Sequence, residues 1–131
     1  MPDTVASEMK GEDESLTTAW LSDDELKIYV DEWKRTGFQG GLNWYRAQTS
    51  ASPVQKRDML LFAGKKIEVP CAFISGEKDW GNYQQPGALE GYKESCSDFR
   101  GVTMIAGAGH WVQQEQSEKV TESILKFLGD L

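Results

Sequence analysis

The chain has 131 residues, a formal net charge of −7 and a 39% apolar share, which suits one globular domain burying about two-thirds of its unfolded surface. The acidic balance argues against nucleic acid and anionic membranes as partners, since both need a basic patch and Lys34-Arg35, Lys56-Arg57 and Lys65-Lys66 are only isolated pairs. No apolar run is long enough to cross a bilayer and no secretory leader pattern opens the chain, so a cytoplasmic protein is expected.

In chain order, residues 1–19 carry Asp3, Glu8, Glu12, Asp13 and Glu14 against one Lys10, with little apolar content and no period. They read as a flexible acidic arm. Ser22-Asp-Asp-Glu25 is a capping box, and Leu26, Tyr29, Val30 and Trp33 follow on one helical face that ends at Gly37. Gly37 to Gly41 reads as a glycine loop, Leu42 to Gln48 as a second helix carrying Trp44 and Tyr45, and Ser50-Ala-Ser-Pro53 as the start of a third that continues to Gly64.

Two short strands follow, Cys71 to Ser75 and Val102 to Ile105, separated by a helical segment around Leu89 and Tyr92; Val120, Ile124, Phe127 and Leu128 then share one face of a terminal helix. This is an α/β chain. Both strands are apolar runs that end in glycine-containing turns, as buried parallel strands do when their loops carry chemistry. The first turn presents Asp79 and the second presents His110, the chain's only histidine. In open α/β sheets catalytic groups gather outside the carboxyl ends of strands, so an acid and an imidazole placed there form the back end of a hydrolase triad. The bland reading stays open beside it: Asp79 capping local amides, His110 a satisfied imidazole and Tyr45 a packing aromatic. Cys71 and Cys96 have no metal-clamp spacing and read as structural thiols. Neither metal nor cofactor is expected.

Three strings, Gly37-Phe-Gln-Gly-Gly-Leu-Asn-Trp-Tyr45-Arg46, Gly76-Glu-Lys-Asp79-Trp80 and Gly107-Ala-Gly-His110-Trp-Val-Gln-Gln-Glu115, occur in order. From about Trp20 onward the chain resembles the C-terminal half of epoxide hydrolases of the α/β-hydrolase fold. The resemblance implies a truncated α/β-hydrolase half: the arm at 1–19, cap-derived helices at 20–65 and a short parallel β-α-β-α unit at 66–131. It implies that Tyr45 hydrogen-bonds the epoxide oxygen, that Asp79 orients His110 and that His110 activates water. Phe38, Trp44, Trp80 and Trp111 are expected to wall the substrate cavity. The family's His-Asp-Trp-Gly-Gly nucleophile string and His-Gly-x-Pro oxyanion loop do not occur, and Lys78-Asp-Trp-Gly-Asn82 lacks both the preceding His and the second Gly.

Three functions remain in view. The chain is one half of a two-chain epoxide hydrolase, or an enzyme in its own right using base-activated water on an epoxide or similar small apolar substrate, or a non-catalytic binding protein that keeps the cavity. Two strands make a poor sheet, so a homodimer or a complementing N-terminal half is expected to cover the bare edge and face.

Overall fold

The computed structural model describes residues 2–13, 15–49 and 52–131. The helices are α1 (Pro2–Glu8), α2 (Ser15–Thr18), α3 (Asp23–Thr36), α4 (Gln39–Thr49), α5 (Pro53–Met59), α6 (Ala88–Ser95), α7 (Val112–Glu115) and α8 (Ser117–Gly129). The strands are β1 (Ile67–Gly76) and β2 (Cys96–Ile105), and 3-10 turns lie at Leu60–Phe62 and Trp80–Tyr83.

β1 and β2 pair in parallel, from Ile67 opposite Cys96 to Gly76 opposite Ile105. Both begin earlier than their apolar runs, at Ile67 rather than Cys71 and at Cys96 rather than Val102. Pairing recruits residues of poor strand propensity: Pro70 is accommodated beside a register irregularity between Ile67 and Pro70, where a missing N–H costs least. Asp98 and Arg100, two apart and so on one face of β2, form an ion pair at 2.7 Å.

The sheet is packed on both faces. On one, Tyr92 of α6 stacks on Phe73 at 5.1 Å and on Phe99 at 5.5 Å between ring centroids. On the other, Ile74 packs against a buried cluster of Ile105, Ala108, Val112 and Val120, which joins β2 and its following turn to α7 and α8. A cavity of about 540 Å³ remains between this face and α8, walled by Ala72, Ile74, Val102, Ile124 and Phe127 among others.

The helical half forms by local rules. Ser22 caps α3 reciprocally with Glu25, accepting the Glu25 N–H at 3.4 Å while the Glu25 carboxylate accepts the Ser22 N–H at 2.9 Å. Hydrogen bonds from the Ser22 hydroxyl and then its amide hold the Glu25 carboxyl below the usual range. Gly37, at φ 67° and ψ 177°, ends the helix in a positive-φ extended conformation open to glycine. α4 begins at Gln39, so Gly40 and Gly41 are helical rather than loop. Gly41 packs under Trp33, where a Cβ would stand 2.9 Å from the ring, and that ring also stacks on Phe38 at 4.6 Å. α5 starts with Pro53 in its first turn and gives way to the 3-10 turn at Leu60 instead of running as one helix to Gly64. Ser50 and Ala51, expected to open that helix, lie outside the described residues, as does Glu14 of the arm.

The arm holds regular structure where no period is legible, namely α1 and α2. Asp13 accepts both the Ser15 N–H at 3.0 Å and its hydroxyl at 2.6 Å, nucleating α2 locally. Trp20 and Leu21, half-buried, then line a cleft of about 460 Å³ with Tyr29 of α3, Gln114 of α7 and Ser117. Across it the Gln114 side-chain amide donates to the Tyr29 hydroxyl. No helix of the described residues is long and apolar enough to cross a membrane.

Candidate active site

The site forms where the turns after β1 and β2 meet. The Glu77 N–H donates to the Ile105 carbonyl at 3.0 Å and the Lys78 N–H to the Ala108 carbonyl at 2.9 Å, so each turn is bonded to the other. Gly76 makes this approach possible, because a Cβ there would fall inside van der Waals distance of the Ala108 and Gly109 carbonyls. Asn82 locks the first turn by donating its side-chain amide to the Gly76 carbonyl at 2.9 Å.

Asp79 caps the 3-10 turn at Trp80–Tyr83 and is 9% exposed. One carboxylate oxygen accepts the Gly81 N–H at 2.8 Å and lies 3.1 Å from His110 Nδ1, while the other accepts the Ser75 hydroxyl at 3.4 Å. Burial is the largest single influence on this carboxyl and opposes its charge. Hydrogen bonds from Gly81 and His110, the attraction of the imidazole and the Ser75 hydroxyl together outweigh it, so the group lies below its ordinary range. A carboxylate accepts only, so the facing Nδ1 carries the hydrogen and neutral His110 keeps its lone pair on Nε2. The His110 side chain is 54% exposed.

Trp80 stacks beside His110 at 6.1 Å and Trp111 meets its edge at 5.2 Å, which gives the imidazole an aromatic surround. Phe38, Trp44 and Tyr45 are exposed, at the start of and along α4. Among the described residues no hydrogen bond or ring contact joins them to Asp79 or His110.

Glu115 has no role in the sequence reading beyond closing the Gly-His-Trp-Val-Gln-Gln-Glu string. Its carboxylate oxygens accept the Gly109 N–H at 2.6 Å and the Trp111 N–H at 2.9 Å, bracketing His110 from behind. The only legible signal is a short acid-terminated helix directly after the histidine. The Cys71 thiol is pushed up to about 11, first by hydrogen bonding with Cys96, and so stays protonated at neutral pH. Among the described residues no group of three or more His, Cys, Asp or Glu is placed to hold a metal ion.

A parallel pair bearing an acid after one strand and a histidine after the next, with a helix on each face, is the C-terminal part of an α/β-hydrolase fold. The potato (Solanum tuberosum) epoxide hydrolase I structure superposes at TM-score 0.76 and 32% identity over 91% of this chain and 37% of that one. The Vigna radiata epoxide hydrolase superposes at TM-score 0.73 and 26% identity, covering 86% of this chain and 37% of its own. In sequence, epoxide hydrolase A of Mycobacterium tuberculosis is 40% identical over 118 residues, 86% of this chain and 33% of the relative. Epoxide hydrolase 3 of Siraitia grosvenorii is 30% identical over 115 residues, 84% of this chain and 35% of the relative. No family model matches. The chain is thus epoxide-hydrolase-like: it corresponds to the C-terminal part of that fold and spans about a third of the length of the curated relatives it matches.

Proposed function

We propose that the chain supplies the acid–base half of an epoxide-hydrolase-like site, in which His110, oriented by Asp79, takes a proton from water. The observation that carries this is the 3.1 Å contact between the Asp79 carboxylate and His110 Nδ1, which leaves Nε2 free as the base. The water oxygen attacks one epoxide carbon as its proton passes to Nε2. The carbon–oxygen bond of the ring breaks, the leaving oxygen takes a hydrogen bond and then a proton from Tyr45, yielding a diol, and the proton held on His110 returns to the Tyr45 oxygen through solvent. Tyr45 acts with α4 lying over His110. Trp80 and Trp111 suit a small apolar substrate, with Phe38 and Trp44 supplying the wall from α4.

The surface favours a site completed by a second chain. Trp80 and Tyr83, in one 3-10 turn beside the site, are 62% and 70% exposed, and such bare aromatic surface fits a face awaiting a partner. That partner is a second copy or a polypeptide carrying the N-terminal half with its nucleophile.

The test is hydrolysis of an apolar aryl epoxide by the chain and its variants. His110→Ala should lower turnover about 100-fold or more, Asp79→Asn by a comparable or smaller factor, and Tyr45→Phe should weaken leaving-oxygen stabilisation. Turnover surviving His110→Ala defeats the base-catalysis reading. Epoxide binding with no turnover, alone or with an N-terminal half added, places the chain among non-catalytic binding proteins.

A further inference from the structure

His110 is more than half exposed, and beside the flanking rings of Trp80 and Trp111 one side-chain hydrogen bond among the described residues, to Asp79, orients its ring. A single hydrogen bond is a weak restraint on a two-torsion side chain that stands largely in solvent. What holds the backbone beneath it therefore decides how long the ring stays aligned. The residues on either side, Gly109 and Trp111, each donate an N–H to Glu115, at 2.6 and 2.9 Å. Glu115 itself sits at the end of α7, whose Val112 belongs to the buried cluster.

Gly109 carries a second sign of this clamp. A Cβ at that position would stand 3.3 Å from one Glu115 carboxylate oxygen and 3.4 Å from the other, tighter than an ordinary contact. The loop lies this close to the carboxylate because the residue before the histidine has no side chain. One residue before Glu115 on the same short helix, Gln114 donates to the Tyr29 hydroxyl of α3. The element that holds the histidine loop is thus also the element to which the cap segment is tied.

We infer that Glu115 is a positioning residue for the proposed base: by accepting both amides that flank His110 it keeps Nδ1 on Asp79, and Tyr29–Gln114 ties that arrangement to the cap. This rests on the reading of His110 as base, but it is testable without turnover because the chain has one histidine. The imidazole nitrogen resonances of the ¹⁵N-labelled full chain report the tautomer directly, at a pH where the ring is neutral. The wild type should show a protonated Nδ1 and an unprotonated Nε2.

Glu115→Ala should abolish this preference and give the mixed, Nε2–H-rich pattern of a free imidazole. Glu115→Gln, which keeps one acceptor oxygen, should restore part of it. A melting curve on each variant identifies any loss that comes from unfolding, and Glu115→Gln carries the test if Glu115→Ala does not fold. A wild-type Nδ1–H tautomer unchanged in folded Glu115→Ala, or in Glu115→Gln where the alanine variant does not fold, would overturn the positioning role while leaving the base reading intact. A mixed tautomer already in the wild type would remove the Asp79–His110 pair, and both readings with it. Where turnover is measurable, Glu115→Gln should lower kcat with KM little changed, because the clamp acts through His110 and not on substrate.

Discussion

Asp79 concentrates most of the site's electrostatics in one side chain. It is buried enough for desolvation to oppose its charge, yet an amide, a hydroxyl and an imidazole all favour the carboxylate, and the balance depresses its folded-state value. The sign of the linkage follows. A group bound more weakly to its proton when folded adds stability that is fully present above its unfolded value and is lost as pH falls through the folded one. Urea midpoints for the wild type should therefore begin to fall as pH drops toward the ordinary Asp value of about 4 and go on falling through the depressed folded-state one, and Asp79→Asn should flatten that acid limb. An unchanged acid limb in the variant would show that the carboxylate contributes nothing there. Gly76 works at the same scale by a different force, since no other residue lets the histidine loop cross the end of β1.

At the scale of elements, the two halves of the chain are stabilised by different physics. α3 is set by its own sequence, with a capping box, acidic residues Asp23, Asp24 and Glu25 in its first turn and basic Lys34 and Arg35 in its last, which complement the helix dipole. Glu32 and Arg35 pair along its surface, an exposed contact of little energetic weight. None of its residues is buried. The β-α-β-α unit instead depends on the small cluster around Ile105 and Val120. Ser22→Ala should therefore cost about 1 kcal/mol locally, read as faster amide exchange across α3 with the main melting transition barely moved. Ile105→Ala should cost about 2–5 kcal/mol and lower that transition itself. If both variants shift the main transition equally, the halves unfold as one unit.

For the whole molecule, surface area is decisive. The chain exposes 10919 Å², whereas a compact monomer of its 14.7 kDa mass exposes about 6,900 Å². The excess, on the order of 4,000 Å², marks an open chain with much surface left for a partner to cover. Among the described residues the sheet has two strands, and a parallel pair with open edges invites pairing. We expect the purified chain to sediment at twice 14.7 kDa or more, through an interface apolar at its centre. A stable monomer at micromolar concentration would refute self-association and leave the complementing half as the partner to seek.

The sequence by itself determined what depends on neighbours along the chain. The α3 capping box, the Gly37 stop, the first-turn Pro53 and the terminal amphipathic helix are written in spacings of three and four residues, where local hydrogen bonds and one apolar stripe suffice. The apolar centres of β1 and β2 and the turn positions of Asp79 and His110 were legible for the same reason, and the three family strings pointed to the α/β-hydrolase fold. Only the tertiary structure decided what depends on residues distant in sequence. Strand pairing extended β2 back to Cys96 through polar residues, and α4 took in Gly40 and Gly41, the second packed under the Trp33 ring. The Gly76 crossing set the histidine loop against the acid loop. The Glu115 clamp could not be read in advance, because a glutamate five positions after a histidine has no meaning until the backbone folds both amides toward it.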